Sequence, residues 1–435
     1  MRVSTGSTTG VGLDKLDHRT AGLDKLDHRV SGTMSAVSVP QYCPSPRELD
    51  DLELLVNGGL APRTGFDATG PVTLVLPDEV AVAARQAGGV ELVDPEGLPL
   101  ARVANDGTVE SLAAHEVGAF RRLHLSPATT RERYDGALTV PVAAPLTDQD
   151  LALVDRTRAG RPVLLLALTG TGTPQGVTPV GLVRATLAAA DLLGDAHVVA
   201  VPLPSHGDPE IDHVLGQQVV ATYAPGEVLA VTGEGDLPDP VEEVVASDQP
   251  APDQQGLVVF FTGLSGSGKS TLARALHDLL LEDGHRTVTS LDGDVVRRNL
   301  SAGLTFSKAD RETNIRRIGW VAAEIARHRG VAICSPIAPF DETRRQVRSY
   351  VEDAGGAFFL VHVATPLEEC ERRDKKGLYA KARRGEIPEF TGISSPYEEP
   401  HDAAVRVDTT GRSIEDALGD VLTALGDAGL VVLQP

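Results

Sequence analysis

The sequence has few cysteines, few aromatic residues and no long apolar run. Its 435 residues include Cys43, Cys334 and Cys370 as the only cysteines. Their wide spacing argues against a disulfide framework or a zinc site. No run of about 18 uncharged apolar residues occurs, and the first residues lack the apolar segment of a secretory signal. We therefore expect a cytoplasmic protein that acquires any metal ion together with a ligand.

Basic residues are scarce in the front of the chain. The net charge is −21, with 17 Lys and Arg against 35 Asp and Glu before Gly256, and 23 against 26 from Gly256 onward. An acidic front repels phosphate backbones and anionic lipids, which argues against nucleic acid and membrane partners there. The nearly neutral back can still gather its cations around a small anion.

Composition predicts four segments along the chain. Residues 1–36 are rich in Ser, Thr and Gly, contain Gly-Leu-Asp-Lys-Leu-Asp-His-Arg twice, and are predicted to be a disordered tail. Short apolar runs between Pro and Gly turns predict a β-rich domain over residues 37–140 and an α/β region over 141–245. An acidic, Pro-rich stretch that begins near residue 234 and ends at 255 is predicted to be a linker to the last domain, 256–435.

Strands and helices are predicted to alternate after the linker. Apolar spacing at Ile315, Ile318, Ala322 and Ile325 is typical of a helix that packs on a sheet. This alternation predicts an α/β fold with a parallel sheet and flanking helices, which binds ligands at the carboxyl ends of its strands. The predicted strands are 257–261, 287–291, 331–335, 357–363 and 404–407.

A glycine-rich loop joins the first of these strands to a helix and predicts a P-loop NTPase-type sheet. Its glycines let backbone N–H groups turn toward phosphates, and the helix N-terminus adds positive potential. Lys269 is expected against the β- and γ-phosphates of ATP or GTP, with Ser270 on Mg²⁺. A chance Gly/Ser turn is disfavoured by the flanking elements. The predicted nucleotide-binding residues are Gly263, Leu264, Ser265, Gly266, Ser267, Gly268, Lys269, Ser270 and Thr271.

Two carboxylates follow the second predicted strand in Asp292-Gly293-Asp294. Asp-Gly-Asp is most often a turn, but its place at a strand end favours a functional role. One carboxylate could accept a hydroxyl proton while the other organises Mg²⁺. We therefore treat Asp292 and Asp294 as candidate catalytic residues.

Basic residues then concentrate in two places. A predicted helix over 309–317 carries Arg311, Arg316 and Arg317, which form either a solvated face or a clamp for phosphate or sulfate. A segment that contains Gly377, Gly385 and Pro388 is predicted to be a mobile basic lid over anionic ligands. Its basic residues are Arg372, Arg373, Lys375, Lys376, Lys381, Arg383 and Arg384.

Five motifs in this order resemble those of APS kinases, which use ATP to phosphorylate adenosine 5′-phosphosulfate (APS) on its 3′-hydroxyl. They are the loop 263–271, Asp292-Gly-Asp-Val-Val-Arg297, the arginine helix 309–317, Lys376-Gly-Leu-Tyr-Ala-Lys-Ala-Arg383 and Phe390-Thr-Gly-Ile393. The resemblance covers residues 256–435 and implies ATP and Mg²⁺ as cofactors, APS as substrate and a homodimer.

The resemblance also implies roles for residues beyond the loop. Arg297, Arg311 and Asn314 would hold the phosphosulfate and ribose of APS, and Phe306 and Phe390 would enclose its adenine. Lys269, Asp292 and Asp294 would be catalytic, with Asp294 at the 3′-hydroxyl and both Ser270 and Asp292 at Mg²⁺. The implied APS-binding residues are Arg297, Phe306, Arg311, Asn314, Ile337, Lys376, Leu378 and Phe390.

Two departures from the family pattern concern other residues. The family often has Phe-Ile-Ser-Pro where this chain has Pro336-Ile337-Ala338-Pro339, so the serine proposed as a phosphorylated intermediate is absent. We therefore expect direct transfer from ATP to APS. An Asp-Pro-Lys-Gly sequence is replaced by Asp374-Lys375-Lys376-Gly377, which leaves the phosphate loop unaffected.

The front of the chain resembles another family over residues 45–66, the opening of ATP sulfurylases. A sulfurylase would need Gln-x-Arg-Asn-Pro-x-His-x-x-His after the apolar run 163–166, but residues 167–176 contain neither arginine nor histidine. Without those cations nothing polarises the α-phosphate. We expect a PUA-like and degenerate sulfurylase-like region without this activity, used for assembly or regulation, with a generic β-rich domain as the alternative.

The leading hypothesis is an adenylyl-sulfate kinase of sulfate assimilation, with ATP sulfurylase as a candidate protein partner. The alternatives are a phosphate-loop kinase for another metabolite, a bifunctional synthase of 3′-phospho-APS (PAPS), and a non-catalytic APS- or PAPS-binding regulator. Intact Lys269, Ser270 and Asp294 speak against the regulator, because a sensor need not retain them.

Overall fold

The structure is a computed structural model that describes residues 39–113, 118–374 and 376–432. The predicted tail 1–36 and Lys375 lie outside the described residues, as does the side chain of Asp294. Within the described part, no helix is both long and apolar enough to cross a membrane.

The first part contains a four-stranded sheet of order β1-β2-β3-β4. Its strands are β1 (Gln41–Tyr42), β2 (Gly89–Val93), β3 (Pro99–Ala104) and β4 (Val109–Ser111), antiparallel except for the parallel pair β1-β2. Two helices accompany it, α1 (Pro46–Asn57) and α2 (Asp78–Ala87). The Ser45 side chain and Glu48 form a capping box that starts α1, and Gly58 ends it at φ 86°.

A three-stranded parallel sheet of order β5-β6-β7 follows. It comprises β5 (Leu138–Val142), β6 (Val163–Leu168) and β7 (Ala196–Val201), with helices α3 (Pro127–Arg133), α4 (Asp148–Arg158), α5 (Pro179–Leu193) and α6 (Pro209–Tyr223). All six residues of β6 are buried. One hydrophobic cluster joins Leu54 and Leu92 of the first part to Leu164, Val199 and Tyr223. The two front regions therefore share a core across residue 140, and that boundary stays a prediction.

The stretch predicted as a linker contains a packed helix, α7 (Asp239–Asp248). Val241 is completely buried, and Val244 and Val245 pack against the same cluster. The carboxylate of Asp248 accepts hydrogen bonds from Thr178 N and Oγ1, both at 2.6 Å, at the start of α5. Three valines on one helical face provide enough apolar surface to dock these residues, so part of the predicted linker is a packed helix, and the linker bounds stay a prediction.

The last part is a five-stranded, wholly parallel sheet of order β12-β11-β8-β10-β9. The strands are β8 (Leu257–Thr262), β9 (Val288–Leu291), β10 (Val331–Cys334), β11 (Ala357–Val363) and β12 (Val405–Val407). The helices are α8 (Lys269–Asp283), α9 (Gly293–Asn299), α10 (Lys308–Arg327), α11 (Asp341–Asp353), α12 (Leu367–Arg373), α13 (Leu378–Arg383) and α14 (Ile414–Asp427). The predicted fold class is confirmed.

Helices cover both faces of this sheet. Val259 and Phe261 of β8 face a cluster that includes Leu276 of α8, whereas Val258 and Phe260 face one that includes Ile318 of α10. Successive strand residues point to opposite faces, so a strand covered on both sides must be apolar throughout. The loops at the carboxyl ends of the strands remain free to build a site.

Candidate active site

The glycine-rich loop lies between β8 and α8, as predicted. Gly263, Gly266 and Gly268 adopt φ values of 146°, 76° and 105°. A Cβ atom on Gly263 would lie 2.4 Å from the carbonyl oxygen of Val363. Positive φ and close backbone contact both favour glycine here. Ser270 and Thr271 lie in the first turn of α8, so the nine predicted residues form one continuous strand-loop-helix unit.

Lys269 is the first residue of α8, and its ammonium group lies within the loop. Its Nζ donates a hydrogen bond to Leu264 O at 2.7 Å, and the residue is 6% exposed. The pKa of Lys269 is lowered to about 8, mainly by burial, with a smaller raising effect of Cys370 and a smaller lowering effect of the Lys376 cation. A buried cation held by one carbonyl can exchange this partner for a phosphate oxygen.

A cavity of ≈ 250 Å³ adjoins the loop. It is lined by Ser270 from α8, Asp292 after β9 and Ser335 after β10, among others. Ser335 Oγ donates to Asp292 Oδ2 at 3.4 Å. Among the described residues, no group of three or more His, Cys, Asp or Glu side chains could hold a metal by itself. One hydroxyl and one carboxylate beside a phosphate site nevertheless fit Mg²⁺, which commonly takes few protein ligands plus phosphate and water.

The predicted second-substrate residues divide between two neighbouring elements. Arg297, in the last turn of α9, stacks its guanidinium over the Phe306 ring at 4.3 Å and donates to Thr305 O at 3.2 Å. Phe306 is 68% exposed. Asp294 belongs to the first turn of α9, directly after the strand end that carries Asp292.

Helix α10 directs Arg311 toward the turn that follows Phe390. Its Nη1 donates to Thr391 Oγ1 at 3.0 Å and its Nη2 to Ser395 Oγ at 3.3 Å. Its Nε and the Oδ1 of the buried Asn314 have no hydrogen-bond partner among the residues that the structure describes. Buried polar atoms are normally paired, so these two leave hydrogen-bonding capacity on α10 unused within the described residues.

The other two arginines of the predicted clamp contact different parts of the chain. Arg316 Nη2 donates to Thr313 Oγ1 at 3.3 Å, and Arg317 Nη1 donates to Leu300 O at 2.9 Å. Among the described hydrogen bonds, those of Arg311 reach the turn after Phe390 and those of Arg316 and Arg317 do not, and the clamp stays a prediction.

The predicted lid consists of α12, α13 and the turns after them. Its charges are largely compensated by local ion pairs of Arg372 with Glu369, Arg383 with Glu371 and Arg384 with Glu386. These arginines are therefore paired locally, and a mobile basic lid over anionic ligands stays a prediction. Leu378 begins α13, and Lys376 is exposed just before it. Phe390 packs edge-on against Tyr379, with ring centroids 5.0 Å apart.

The backbone carbonyl of Ile337 accepts a hydrogen bond from Thr262 Oγ1 at 2.6 Å, and its contact with APS stays a prediction. The adjacent Ala338 is buried and has φ 44°. Thus the position where the family often has serine lies beside the end of β8.

Sequence analysis missed the residues that hold the loop from outside. The hydroxyls of Thr365 and Thr409 both lie 2.9 Å from Ser267 O, and Arg373 Nη1 donates to Thr409 Oγ1 at 2.8 Å. The Tyr379 hydroxyl donates to Ser265 O at 2.8 Å. Their positions in the sequence could have indicated them, since Thr365 and Thr409 each come two residues after a strand of the sheet.

These features together define a phosphate-loop kinase. They are a parallel sheet, a glycine loop after its first strand, a buried lysine in that loop and a carboxylate at the end of the next strand. Residues 255–408 match the family model of adenylylsulphate kinase, and this part of the chain is an APS kinase domain. The predicted enzyme class, a phosphotransferase, is confirmed.

Curated relatives of the chain include two fungal sulfate adenylyltransferases. That of Neosartorya fischeri is 47% identical over 189 residues, and that of Phaeosphaeria nodorum is 47% identical over 191 residues. These matches cover 43% and 44% of this chain and 33% of each relative. The chain thus spans about a third of the length of the relatives it matches.

Solved structures include a hexameric APS kinase from Thiobacillus denitrificans, which is 28% identical over 92% of this chain and 95% of that one, with a TM-score of 0.70. An APS kinase from Mycobacterium tuberculosis, in complex with AMPPNP and APS, is 46% identical over 40% of this chain and 98% of that one, with a TM-score of 0.38. The first similarity covers most of the front part as well as the kinase domain.

Proposed function

We propose that the protein transfers the γ-phosphoryl group of ATP to the 3′-hydroxyl of APS, giving ADP and PAPS. The observation that carries this proposal is that the phosphate loop, with its buried Lys269, lies within residues 255–408, which match the adenylylsulphate kinase family model. A kinase for a small metabolite also needs a polar site for its acceptor, and Arg311 and Asn314 of α10 are among the residues proposed for it. The family match and the similarity to the Thiobacillus denitrificans APS kinase support APS as that acceptor.

In this proposal the two substrates are held by different parts of the domain. Lys269 and the loop amides bind the β- and γ-phosphates, and Ser270 with Asp292 would hold Mg²⁺, which supplies charge neutralisation at the phosphate oxygens. Asp294 orients the 3′-hydroxyl for in-line attack. The residues proposed to bind APS are Arg297, Phe306, Arg311, Asn314, Ile337, Lys376, Leu378 and Phe390.

The phosphoryl group is proposed to pass directly between the substrates. Ala338 has no oxygen that could accept it, and its backbone carbonyl already accepts from Arg344 Nη1 at 2.9 Å. Enzyme incubated with γ-labelled ATP and no APS should therefore stay unlabelled. A labelled protein that discharges onto APS at the turnover rate would refute direct transfer and point first to Ser335, whose hydroxyl lies beside Asp292.

The decisive experiment supplies the purified full chain with ATP, Mg²⁺ and APS and measures both ADP and PAPS. We expect equal amounts of the two products, both dependent on APS. Phosphorylation of another small alcohol instead of APS would support the alternative metabolite kinase. Binding of APS without turnover would support the regulator.

We propose further that the front region is sulfurylase-like but makes no APS. At the carboxyl edge of its parallel sheet, Asp50 Oδ2 accepts from Thr171 N at 2.7 Å, and the buried Asp51 contacts His206 Nε2 at 3.2 Å. Burial raises the pKa of Asp50 to about 6, so this carboxylate is largely charged at neutral pH. Carboxylates at that edge oppose the binding of sulfate and triphosphate.

Sulfate-dependent release of pyrophosphate from ATP, measured with inorganic pyrophosphatase to draw the reaction forward, tests this point. We expect none above background. A clear signal would make the protein a bifunctional PAPS synthase, an alternative favoured by the names of its fungal relatives.

Light scattering would test the proposed homodimer against the six-subunit assembly named for the Thiobacillus denitrificans structure.

A further inference from the structure

Tyr379 touches both halves of the proposed site. It lies in α13, is 2% exposed, and donates its hydroxyl to Ser265 O in the phosphate loop at 2.8 Å. Its ring meets Phe390 at an interplanar angle of 79°, an edge-to-face contact. One side chain therefore contacts the loop for the nucleotide and the segment proposed for APS.

The contact with Ser265 has a direct consequence for the loop amides. In a planar trans peptide the carbonyl and the following N–H point in opposite directions. A donor that holds the Ser265 carbonyl on one side of the loop therefore fixes the Gly266 N–H on the other side. Burial raises the pKa of Tyr379, so its hydroxyl keeps its proton and remains a donor at neutral pH.

The contact with Phe390 continues toward the second substrate. The Phe390 carbonyl lies 3.0 Å from Ser394 N and 3.1 Å from Ser395 N, which closes a tight turn. Arg311 donates to Thr391 and Ser395 in that turn. A displacement of Tyr379 would thus reach the turn that Arg311 holds, because packed side chains and hydrogen bonds transmit displacement.

We infer that Tyr379 is a positioning residue that couples nucleotide binding at the phosphate loop to the segment 390–395. The APS part of this inference rests on the proposed function. Nucleotide bound to the loop favours the arrangement in which Tyr379 holds both Ser265 and Phe390, and APS then binds a site that is already ordered. By linkage, APS must improve nucleotide binding by the same factor.

The first test measures APS affinity of the full chain with and without saturating AMPPNP. We expect AMPPNP to tighten APS binding in the wild type. Tyr379→Phe keeps the ring contact but loses the hydroxyl, so it should weaken AMPPNP binding about 3- to 10-fold and bring the ratio of the two APS affinities toward one. APS affinity without nucleotide should not change. Tyr350→Phe, which removes a tyrosine hydroxyl from α11 in the same domain, is the matched control.

Hydrogen exchange provides a second test that needs no APS. AMPPNP should protect peptides that cover residues 390–395 in the wild type and in Tyr350→Phe, but not in Tyr379→Phe. Equal protection in all three proteins would overturn the inference, as would an unchanged affinity ratio in Tyr379→Phe. If the wild type failed to bind APS at all, the proposed function would be refuted, while the exchange experiment would still decide whether Tyr379 couples the two segments.

Discussion

At the scale of single residues, Lys269 is the best-defined catalytic candidate. It places a cation in a buried loop, where its ammonium group donates to a backbone carbonyl. Burying this charge costs free energy in the free protein, and a bound phosphate provides it with a strong hydrogen-bond partner. Its role should therefore be visible both in turnover and in the dependence of binding on pH.

Lys269→Ala should lower kcat about 100-fold or more while the protein stays folded, because it removes a charge that stabilises the transferred phosphoryl group. Initial rates with ATP, Mg²⁺ and APS measure the loss, and thermal unfolding checks the fold. Arg345→Ala, which removes an exposed cation from α11, should retain normal turnover. Near-normal rates in Lys269→Ala would contradict the assignment.

AMPPNP affinity should fall as pH rises through about 8, because the neutral amine of Lys269 no longer attracts phosphate. Bound phosphates favour the charged amine and so raise its pKa in the complex. Calorimetric titrations between about pH 7 and pH 9 would measure this trend, which should largely vanish in Lys269→Ala.

The effect of Lys269 on the folding stability of the free protein has the opposite dependence on pH. Between about pH 8 and 10.5 the folded state binds fewer protons than the unfolded chain, so this residue makes the free energy of unfolding rise with pH in that window.

At the scale of elements, α7 shows how a segment of linker composition can become part of a fold. Its carboxyl end places Asp248 at the amino end of α5, where a carboxylate interacts favourably with the unpaired N–H groups and the helix dipole. Gly181 leaves room for this contact, since a Cβ atom there would lie 2.2 Å from Asp248 Cγ.

Asp248→Ala should reduce the free energy of unfolding of the front part by about 1 kcal/mol, because Thr178 loses both of its hydrogen bonds to α7. Urea unfolding followed by circular dichroism would detect the change. Glu243→Ala, at an exposed position on the same helix, should leave the midpoint nearly unchanged. Equal effects of the two substitutions would mean that the Asp248 contacts add no stability.

At the scale of the whole molecule, the kinase domain has its own hydrophobic cores. The two clusters on either side of its sheet draw all their buried residues from positions 257–430, and the front clusters draw theirs from positions 52–241. A domain with a separate core can fold alone.

The fragment 250–435 should therefore fold and keep most of the APS-dependent turnover of the full chain, while the fragment 37–255 should have none. Circular dichroism would establish folding before the coupled assay is run on each fragment. A folded but inactive kinase fragment would show that the front part completes the active site, for example by assembling the kinase domains.

The sequence by itself determined the kinase sheet and the phosphate loop. Apolar runs such as 257–261 and glycines at fixed spacing are local signals, because a strand buried on both faces and a backbone that turns around phosphate each need particular residues at consecutive positions. The family resemblance supplied the proposed APS residues, and the pairing of Phe306 with Phe390 around adenine stays a prediction.

Only the tertiary structure decided which polar residues act together. Ser265 and Tyr379 are 114 positions apart, and Ser267 and Thr409 are 142 apart, so no local pattern links them. The same holds for the three arginines of α10, where composition could not separate Arg311 from Arg316 and Arg317. Hydrogen-bond partners depend on which elements the packed sheet brings together, and that follows from burial of the whole core rather than from any one segment.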